Sequence, residues 1–274
     1  MALFDEVPGL EVEIVVDGQP LHEWQNHNAN IAPKTLERYV EARSNANLQI
    51  HYSFKAPFPA DRPVSIIITI DGHDVDEPMI RTFELHDTED YTSYGPISNI
   101  ASRWVVQNYR FSPIEIRETG SRAVPTDLKK KLQSVVIITS ELYFLNSPQH
   151  NPRLNGAHRE MEKLPPVTEK TIKANALSHQ AILGDVEPTE EVEYYDADYA
   201  DGGKAFATIH FCYRSLAALK DLHIVERTPE PFDLVDGDNE TLRQLNMEQL
   251  EAIVRRFREQ EETRLRLKRE RSSQ

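Results

Sequence analysis

The sequence predicts a mainly β protein, an antiparallel β-sandwich of the jelly-roll or Ig-like kind, followed by a C-terminal amphipathic, charged α-helix. Three observations predict this fold class. Short segments of alternating apolar and polar residues recur through the first two thirds of the 274 residues, as in strands with one buried face. Two Asp-Gly pairs follow such segments and favour tight hairpin turns. A long helical pattern begins only after Asn246, which disfavours a parallel sheet with crossover helices.

The first elements in chain order are two predicted hairpins that share one form, a strand, an Asp-Gly turn and a return strand. They occupy residues 11–16, Asp17-Gly18 and 20–24, and then residues 65–70, Asp71-Gly72 and 75–80. Between the hairpins, residues 48–54 alternate apolar and polar side chains without a break. This alternation predicts another strand with one face in the core.

The rest of the predicted β domain combines further strands with two loops. Strands are expected at residues 104–111, 135–145 and 205–213, and one short helical turn at 215–222. Residues 146–167 contain four prolines and one glycine, and residues 187–203 are dense in Asp, Glu and Tyr. We therefore predict surface loops in both places. The predicted domain spans residues 1–232, with a linker at 233–245.

Residues 246–274 form the predicted C-terminal helix. Asn246 is a good N-cap, and Gln249 stands three residues on, as in a capping box. Apolar residues then recur with the spacing of one helix face, at Leu250, Ile253, Val254 and Phe257. Beyond Phe257 the apolar stripe thins, so we expect the helix to begin on a packed surface and to end in solvent.

Composition excludes several classes of function. The 45 acidic and 31 basic residues give a net charge of −14, which disfavours nonspecific binding of the domain to nucleic acid or anionic membrane. No apolar run reaches the ~20 residues of a membrane helix, and residues 1–10 lack a signal-peptide core. Cys212 is the only cysteine, so no intrachain disulfide can form. We expect a cytoplasmic or nuclear protein without a membrane contact.

Four blocks of the sequence resemble fungal proteins built on one domain of unknown function: residues 9–24, 38–54, 176–184 and 206–227. The shared pattern has a Val-Asp-Gly turn near the start, a Ser-His-Gln segment at residues 178–180 and Tyr-Arg-Ser at 213–215 before a Leu-rich turn. Asn45 and Ala46 stand where the pattern has a Gly-containing turn, and Asn tolerates the left-handed conformation. The resemblance implies a fungal, intracellular β-sandwich with a charged C-terminal extension, and it implies no reaction.

Metal chemistry is one alternative that the residues leave open. None of the ten histidines stands at His-x-His or His-x-x-x-His spacing, although a folded loop end can bring distant ligands together. The enzyme hypothesis therefore places a small-ligand or metal site at one end of the sandwich, built from His22, His27, His73 and Asp74. Asp196, Asp198 and Asp201 resemble a calcium loop, but Ala200 stands where the loop needs an acid. No cofactor is predicted, because the chain has no Gly-rich phosphate loop.

Two histidines have neighbours that suggest chemistry, and each also has a structural interpretation. His210 lies two residues before Cys212 on the same strand face, a spacing that permits thiolate activation. We favour a buried structural cysteine, because no third orienting group can be named. His179, in the Ser-His-Gln segment, is interpreted as a strand histidine bonded to backbone. Arg214 is expected to anchor a carboxylate at a strand end.

The C-terminal region carries the strongest charge contrast. Our predicted interaction residues there are Arg255, Arg256, Arg258, Arg264, Arg266, Lys268 and Arg269. Tyr194, Tyr195 and Tyr199 lie among carboxylates in the acidic segment and suggest an adhesive patch for a basic partner. The leading hypothesis is a non-catalytic protein-interaction module with an unidentified protein partner and a possible nuclear contact through the tail. The alternatives are the enzyme described above and weak, salt-dependent nucleic-acid binding by the basic tail.

Overall fold

The computed structural model describes residues 2–3, 6–26, 31–86, 90–117, 135–154, 159–168, 171–172 and 176–226, and these are mainly β. The strands are β1 Ala2–Leu3, β2 Leu10–Val16, β3 Gln19–Pro20, β4 Glu23–Trp24, β5 Thr35–Glu41, β6 Leu48–Phe54, β7 Val64–Ile70, β8 His73–Asp76, β9 Met79–Ile80, β10 Tyr91–Ser93, β11 Ile97–Ile100, β12 Arg103–Pro113, β13 Ile116–Arg117, β14 Ile137–His150, β15 Val167–Thr168, β16 His179–Pro188, β17 Tyr195–Tyr199 and β18 Ala207–Arg214. A short helix, α1 Leu216–Asp221, follows β18.

The largest sheet has the order β4-β5-β18-β14-β7-β8, with β9 also on β7 and β17 on the second half of β14. A second sheet has the order β1-β2-β6-β10, with β3 on β2. The three-stranded sheet β11-β12-β16 continues from it through main-chain hydrogen bonds, because the Phe111 N–H donates to the Ala46 carbonyl at 3.0 Å and the Tyr109 N–H donates to the Tyr94 carbonyl at 2.9 Å.

The pairing is mostly antiparallel, but not throughout. Strand β18 runs parallel to β5, from Thr208 opposite Thr35 to Arg214 opposite Glu41, and the short pair β13 and β15 is also parallel. The predicted antiparallel sandwich therefore contains two parallel pairs that the sequence did not indicate. A long connection between β5 and β18 makes the parallel pairing possible, because adjacent parallel strands cannot be joined by a tight turn.

The two main sheets pack against each other around one apolar core. Residues of β2 alternate between buried and half-buried along the whole strand, which confirms the period-2 prediction. The Tyr52 hydroxyl on β6 lies 2.6 Å from the Ser140 hydroxyl on β14, and the Phe111 and Tyr213 ring centroids are 5.0 Å apart. These contacts join inner faces of different sheets. The mainly β class is confirmed, and the jelly-roll or Ig-like topology stays a prediction.

Both Asp-Gly turns have the predicted geometry. Asp17 and Gly18 have φ values of 52° and 71°, and Asp71 and Gly72 have 52° and 78°. Two successive positive φ values define the turn that matches the twist of a hairpin. The strands pair directly across each turn, β2 with β3 and β7 with β8.

Two predicted loops begin or end differently in the structure. The loop expected at 146–167 starts later, because β14 continues to His150. The acidic loop expected at 187–203 contains β17, whose residues pair with the second half of β14 from Leu145 to His150. Each segment supplies the main-chain partners of the other, and neither has the alternation of a half-buried strand. Strand β5 was also missing from the predicted set, and β16 was expected only at His179, which we had interpreted as a strand histidine.

The predicted helical turn after β18 is confirmed as α1, with the Ser215 hydroxyl accepting the Ala218 N–H as an N-cap. The compact β unit comprises Met1–Val225. The predicted linker at 233–245 and helix at 246–274 lie outside the described residues and stay predictions. Among the described residues, no helix is long and apolar enough to span a membrane.

Candidate functional site

A chain of side-chain hydrogen bonds joins the β5–β6 turn to the start of β16. The Ser44 hydroxyl lies 2.9 Å from His179 Nε2, and His179 Nδ1 lies 2.9 Å from the Ser178 hydroxyl. The main-chain N–H of Ser215 donates to that Ser178 oxygen at 2.7 Å. We call Ser44, His179 and Ser178 the serine–histidine relay. Ser44 and His179 are separated by 135 residues in sequence, so only the fold brings them together.

Backbone contacts hold the turn that carries Ser44. The Asn45 N–H donates to the Phe111 carbonyl at 2.8 Å, and the Ala46 N–H closes the turn onto the Arg43 carbonyl at 3.1 Å. Asn45 has a φ of 64°, a left-handed conformation that Asn tolerates better than most residues. Asn45 therefore does here what glycine does in many turns, and Ser44 is exposed beside it.

The imidazole of the relay is shielded from water. His179 is 5% exposed, and this burial lowers its pKa below the ordinary value, since desolvation disfavours the imidazolium. The ring is therefore neutral near pH 7. One lone pair of Ser178 Oγ accepts the Ser215 N–H, and the other is available for the Nδ1–H of the ring. In that tautomer Nε2 accepts a hydrogen bond from the Ser44 hydroxyl.

The structure corrects our interpretation of two residues in this region. His179 bonds two side chains instead of backbone. Arg214 was expected to anchor a carboxylate, but its guanidinium donates to the main-chain carbonyls of Val136 at 3.0 Å and Tyr213 at 2.9 Å. Gln180, the third residue of the Ser-His-Gln segment, accepts the Leu164 N–H at 2.7 Å and fixes a neighbouring loop.

In the predicted tyrosine patch, Tyr195 and Tyr199 lie on β17 and Tyr194 directly precedes it. We call Tyr194, Tyr195 and Tyr199 the tyrosine edge. Each ring contacts another ring: Tyr194 stacks on Trp104 with centroids 6.1 Å apart, Tyr195 meets His150 at 5.6 Å and Tyr199 meets Tyr143 at 4.8 Å. The Tyr195 hydroxyl donates to Glu193 at 2.7 Å, and the Tyr199 hydroxyl donates to Glu77. Burial and the bond to Glu77 raise the pKa of Tyr199, so it remains a neutral donor.

Acidic side chains surround the tyrosine edge. Residues 187–201 contain seven carboxylates and no Lys or Arg. Arg81 lies 3.6 Å from Glu193 and Arg62 lies 3.0 Å from Asp201, and the Asn151 amide donates to Asp196 at 2.6 Å. Phe83, beneath the Arg81 guanidinium, is 69% exposed. The result is a surface with aromatic rings and a strong negative charge.

The described residues of the metal hypothesis, His22, His73 and Asp74, do not come together. His22 precedes β4 at one edge of the largest sheet, and His73 and Asp74 lie on β8 at the other edge. Five strand spacings of about 4.8 Å separate these edges, roughly 24 Å in all. His27 lies outside the described residues. Across the described ranges, no group of three or more His, Cys, Asp and Glu side chains is placed to hold a metal ion.

Cys212 has the environment of a structural cysteine. It is 5% exposed, and burial, reinforced by Glu37, raises the pKa of its thiol to about 12. Its neighbour His210 bonds the Thr139 hydroxyl through Nδ1 at 2.9 Å. A thiol that stays protonated is a poor nucleophile, so this arrangement does not activate Cys212.

Asp71 is a buried carboxylate that was not predicted from the sequence. The turn explained this residue, but its side chain also accepts the main-chain N–H groups of Val136 at 2.6 Å and Ala181 at 2.8 Å. The Tyr213 hydroxyl completes the set. The β-branched strand before the turn gives no sign of this role. The only sign in the sequence is that Asp71 and Tyr213 are two polar residues that each come directly after a buried residue. Nothing local connects the two residues.

Comparison with known proteins adds one finding. The family described as Domain of unknown function (DUF7918) matches residues 9–228. The chain belongs to the DUF7918 family. No curated protein and no solved structure matches it.

The DUF7918 match contains every side chain of the serine–histidine relay and of the tyrosine edge. The basic tail lies beyond the match. Our predicted interaction residues there also lie outside the described residues: Arg255, Arg256, Arg258, Arg264, Arg266, Lys268 and Arg269. Tail-mediated nucleic-acid binding therefore stays a prediction, and the DUF7918 domain has to be interpreted from its own surface.

Proposed function

We propose that this chain is a protein-interaction module of the cytoplasm or nucleus, built on a β-sandwich. Its tyrosine edge binds a basic, extended segment of a protein partner. The observation that carries the proposal is the combination, on and beside β17, of one exposed and two half-buried tyrosines, exposed carboxylates and an open hydrogen-bonding edge.

The open edge follows from the sheet order. Strand β17 pairs with β14 on one side, and among the described strands none pairs with its other side. An open strand presents main-chain N–H and C=O groups to an added strand, and several peptide-binding domains use such an edge. An extended partner segment gains main-chain hydrogen bonds there without a rearrangement of the sheet.

Charge and ring chemistry define the partner. The seven carboxylates of residues 187–201 attract Lys and Arg and repel acidic segments, so electrostatic complementarity selects a basic partner. Arg side chains also stack on Tyr and Trp faces. Tyr199, 37% exposed, and the stacked Tyr194 and Trp104 pair offer such faces. The same charge disfavours nucleic acid at this edge.

The test is binding of a synthetic Arg/Lys-rich peptide, with a Glu-substituted peptide as the negative probe, measured by fluorescence anisotropy on the full chain. D196N/D198N removes two exposed carboxylates without a change in side-chain size. We expect the Kd for the basic peptide to rise about ten-fold. Added salt should weaken binding to the unaltered protein.

The matched control is D17N/E115Q, which removes two exposed carboxylates, one from the β2–β3 turn and one from the residue before β13. This variant should bind the basic peptide as the unaltered protein does. Equal weakening in both double variants would show only a nonspecific response to net charge. Peptide binding that D196N/D198N leaves unchanged contradicts the proposed edge.

A further inference from the structure

We propose that Ser44 is an activated nucleophilic serine, with His179 as its general base, and that it accepts an acyl group from carboxylic esters. This activity goes beyond the interaction function and rests on different residues. It is carried by the geometry of the serine–histidine relay.

The hydrogen-bond distances on both sides of the His179 ring match those of a serine with a general base. A serine hydroxyl becomes nucleophilic when a neighbouring base accepts its proton during attack. Ser44 Oγ and His179 Nε2 are 2.9 Å apart, within the 2.6 to 3.2 Å over which such transfer is usual. The opposite ring nitrogen bonds Ser178. A base whose second nitrogen is held by a third group is the arrangement shared by serine hydrolases on unrelated folds.

Ser44 and His179 differ in their exposure to solvent. The nucleophile is exposed at the tip of a turn, whereas its base is 5% exposed. Water therefore reaches Ser44 but cannot readily replace it as the partner of Nε2. An ester can approach Ser44 from solvent, while the main-chain hydrogen bond from Asn45 to Phe111 keeps the turn in place.

Ser178 is a positioning residue in this proposal. Its oxygen accepts the Ser215 N–H at 2.7 Å and lies 2.9 Å from His179 Nδ1, so its second lone pair can accept the Nδ1–H. This acceptor favours the tautomer with hydrogen on Nδ1 and stabilises the imidazolium that forms during attack. A serine does this more weakly than a carboxylate, because it carries no charge.

The reaction is a transfer of one acyl group. Ser44 Oγ attacks the ester carbonyl carbon, its proton passes to His179 Nε2, and a new Oγ–C bond forms. The bond from that carbon to the alcohol oxygen breaks, and the departing oxygen takes the proton from Nε2. The products are acyl-Ser44 and an alcohol, with neutral His179 restored.

The experiment treats the full chain with an alkyl fluorophosphonate and locates the adduct by peptide mass spectrometry. In this probe the Oγ–P bond forms, fluoride leaves and the proton passes to His179. We expect one adduct, on Ser44, that S44A abolishes. S102A removes an exposed turn hydroxyl elsewhere and should be labelled at the normal rate.

Variants of His179 and of its neighbour Ser178 distinguish activation of Ser44 by the base from labelling that depends only on the exposure of Ser44. H179Q should label about 100-fold more slowly, the usual size of a general-base contribution. S178A keeps the imidazole, and this variant tests the proposal if H179Q fails to fold. We expect S178A to label more slowly and the pH of half-maximal labelling to fall, because the imidazolium loses an acceptor.

The ester class is tested with 4-nitrophenyl acetate. An acetyl group on Ser44, absent from S44A and present in S102A, supports the proposal. No adduct on Ser44 from either reagent overturns it. Equal labelling of Ser44 in the unaltered protein and in a folded H179Q variant overturns it too, because the histidine would then have no chemical role.

Discussion

The hydroxyl of Tyr213 donates to the carboxylate of Asp71, with its oxygen 2.7 Å from Oδ1 and 2.6 Å from Oδ2. Asp71 also accepts the Val136 N–H at 2.6 Å and the Ala181 N–H at 2.8 Å. Both side chains are buried. One carboxylate therefore connects the turn after β7, the residue before β14, strand β16 and strand β18. Four segments that are distant in sequence depend on it.

The first prediction concerns the loss of that carboxylate. Asparagine at position 71 turns one acceptor oxygen into an NH₂ group, so at least one of the buried donors loses its partner. A buried donor without a partner costs about 1–3 kcal/mol. We expect D71N to lower the free energy of unfolding by roughly 3 kcal/mol, measured by urea denaturation followed by circular dichroism.

Y213F is the matched variant, because it removes only the hydroxyl donor and leaves both main-chain donors on Asp71. We expect a cost of about 1 kcal/mol. If Y213F were as damaging as D71N, the ring position and not the carboxylate would be the critical feature.

The second prediction is a dependence of stability on pH. Burial raises the pKa of Asp71 from 3.8 to about 6, against the opposing effect of its hydrogen-bond donors. A carboxyl with a raised pKa in the folded state favours folding while it is protonated. Its contribution is full below pH 3.8 and is lost as pH rises through about 6. The loss amounts to about 3 kcal/mol.

Burial raises the pKa of Asp76 to about 6 as well, so Asp76 changes the stability with pH in the same direction as Asp71. The contribution of Asp71 is therefore read as the difference between the unaltered protein and D71N, in urea unfolding from pH 4 to pH 7. That difference should shrink as pH rises. The carboxyl carbon shift of Asp71 in NMR spectra gives an independent midpoint, and a midpoint near 4 would contradict the prediction.

Local rules predicted much of the fold. The two Asp-Gly turns, the alternating strand at residues 48–54 and the capped turn after Ser215 all depend on neighbours within a few residues, and all are present. Pairing between distant segments decided the rest. Strand β17 exists because the second half of β14 supplies its partners, and β5 is a strand because β18 runs beside it in parallel. No local period encodes either partner.

The candidate site shows the same division. The Ser-His-Gln segment and the turn at Asn45 were noticeable in sequence, but 135 residues separate Ser44 from His179. The β-domain tyrosines were predicted as a surface feature, whereas their ring partners Trp104 and Tyr143 were not. The described residues of the metal hypothesis show the converse. His22 lies at one edge of the largest sheet, and His73 and Asp74 lie at the other.

The third prediction concerns Gly95, in the connection between β10 and β11. A Cβ at this position would overlap the carbonyl oxygen of Gln107. The neighbouring hydrogen bonds, from Tyr109 to Tyr94 and from Gln107 to Pro96, fix both backbones, so the overlap is relieved only by breaking them. We expect G95A to lower the free energy of unfolding by roughly 3 kcal/mol.

G202A is the control for Gly95, because a Cβ there meets no atom within 4 Å although φ is 71°. Its cost comes from the left-handed backbone alone, about 1 kcal/mol. Thermal unfolding of both variants, followed by circular dichroism, distinguishes the two causes. A smaller loss of unfolding free energy in G95A than in G202A would show that the β10–β11 connection moves away from β12 freely.

The last prediction uses Cys212 as a single reporter of opening. Burial raises the pKa of its thiol from 9.0 to about 12, so the thiolate that reacts with iodoacetamide is about 1,000-fold scarcer than in the unfolded chain near pH 8. We expect alkylation of the native protein to be at least ~100-fold slower than in urea. No other cysteine competes, so intact-mass spectrometry reads the rate directly.

D71N should accelerate alkylation, because weaker attachment of β18 increases the fraction of open molecules. Rapid alkylation of the native protein would instead show that the outer face of β18 is accessible, and that His210 activates the thiol after all.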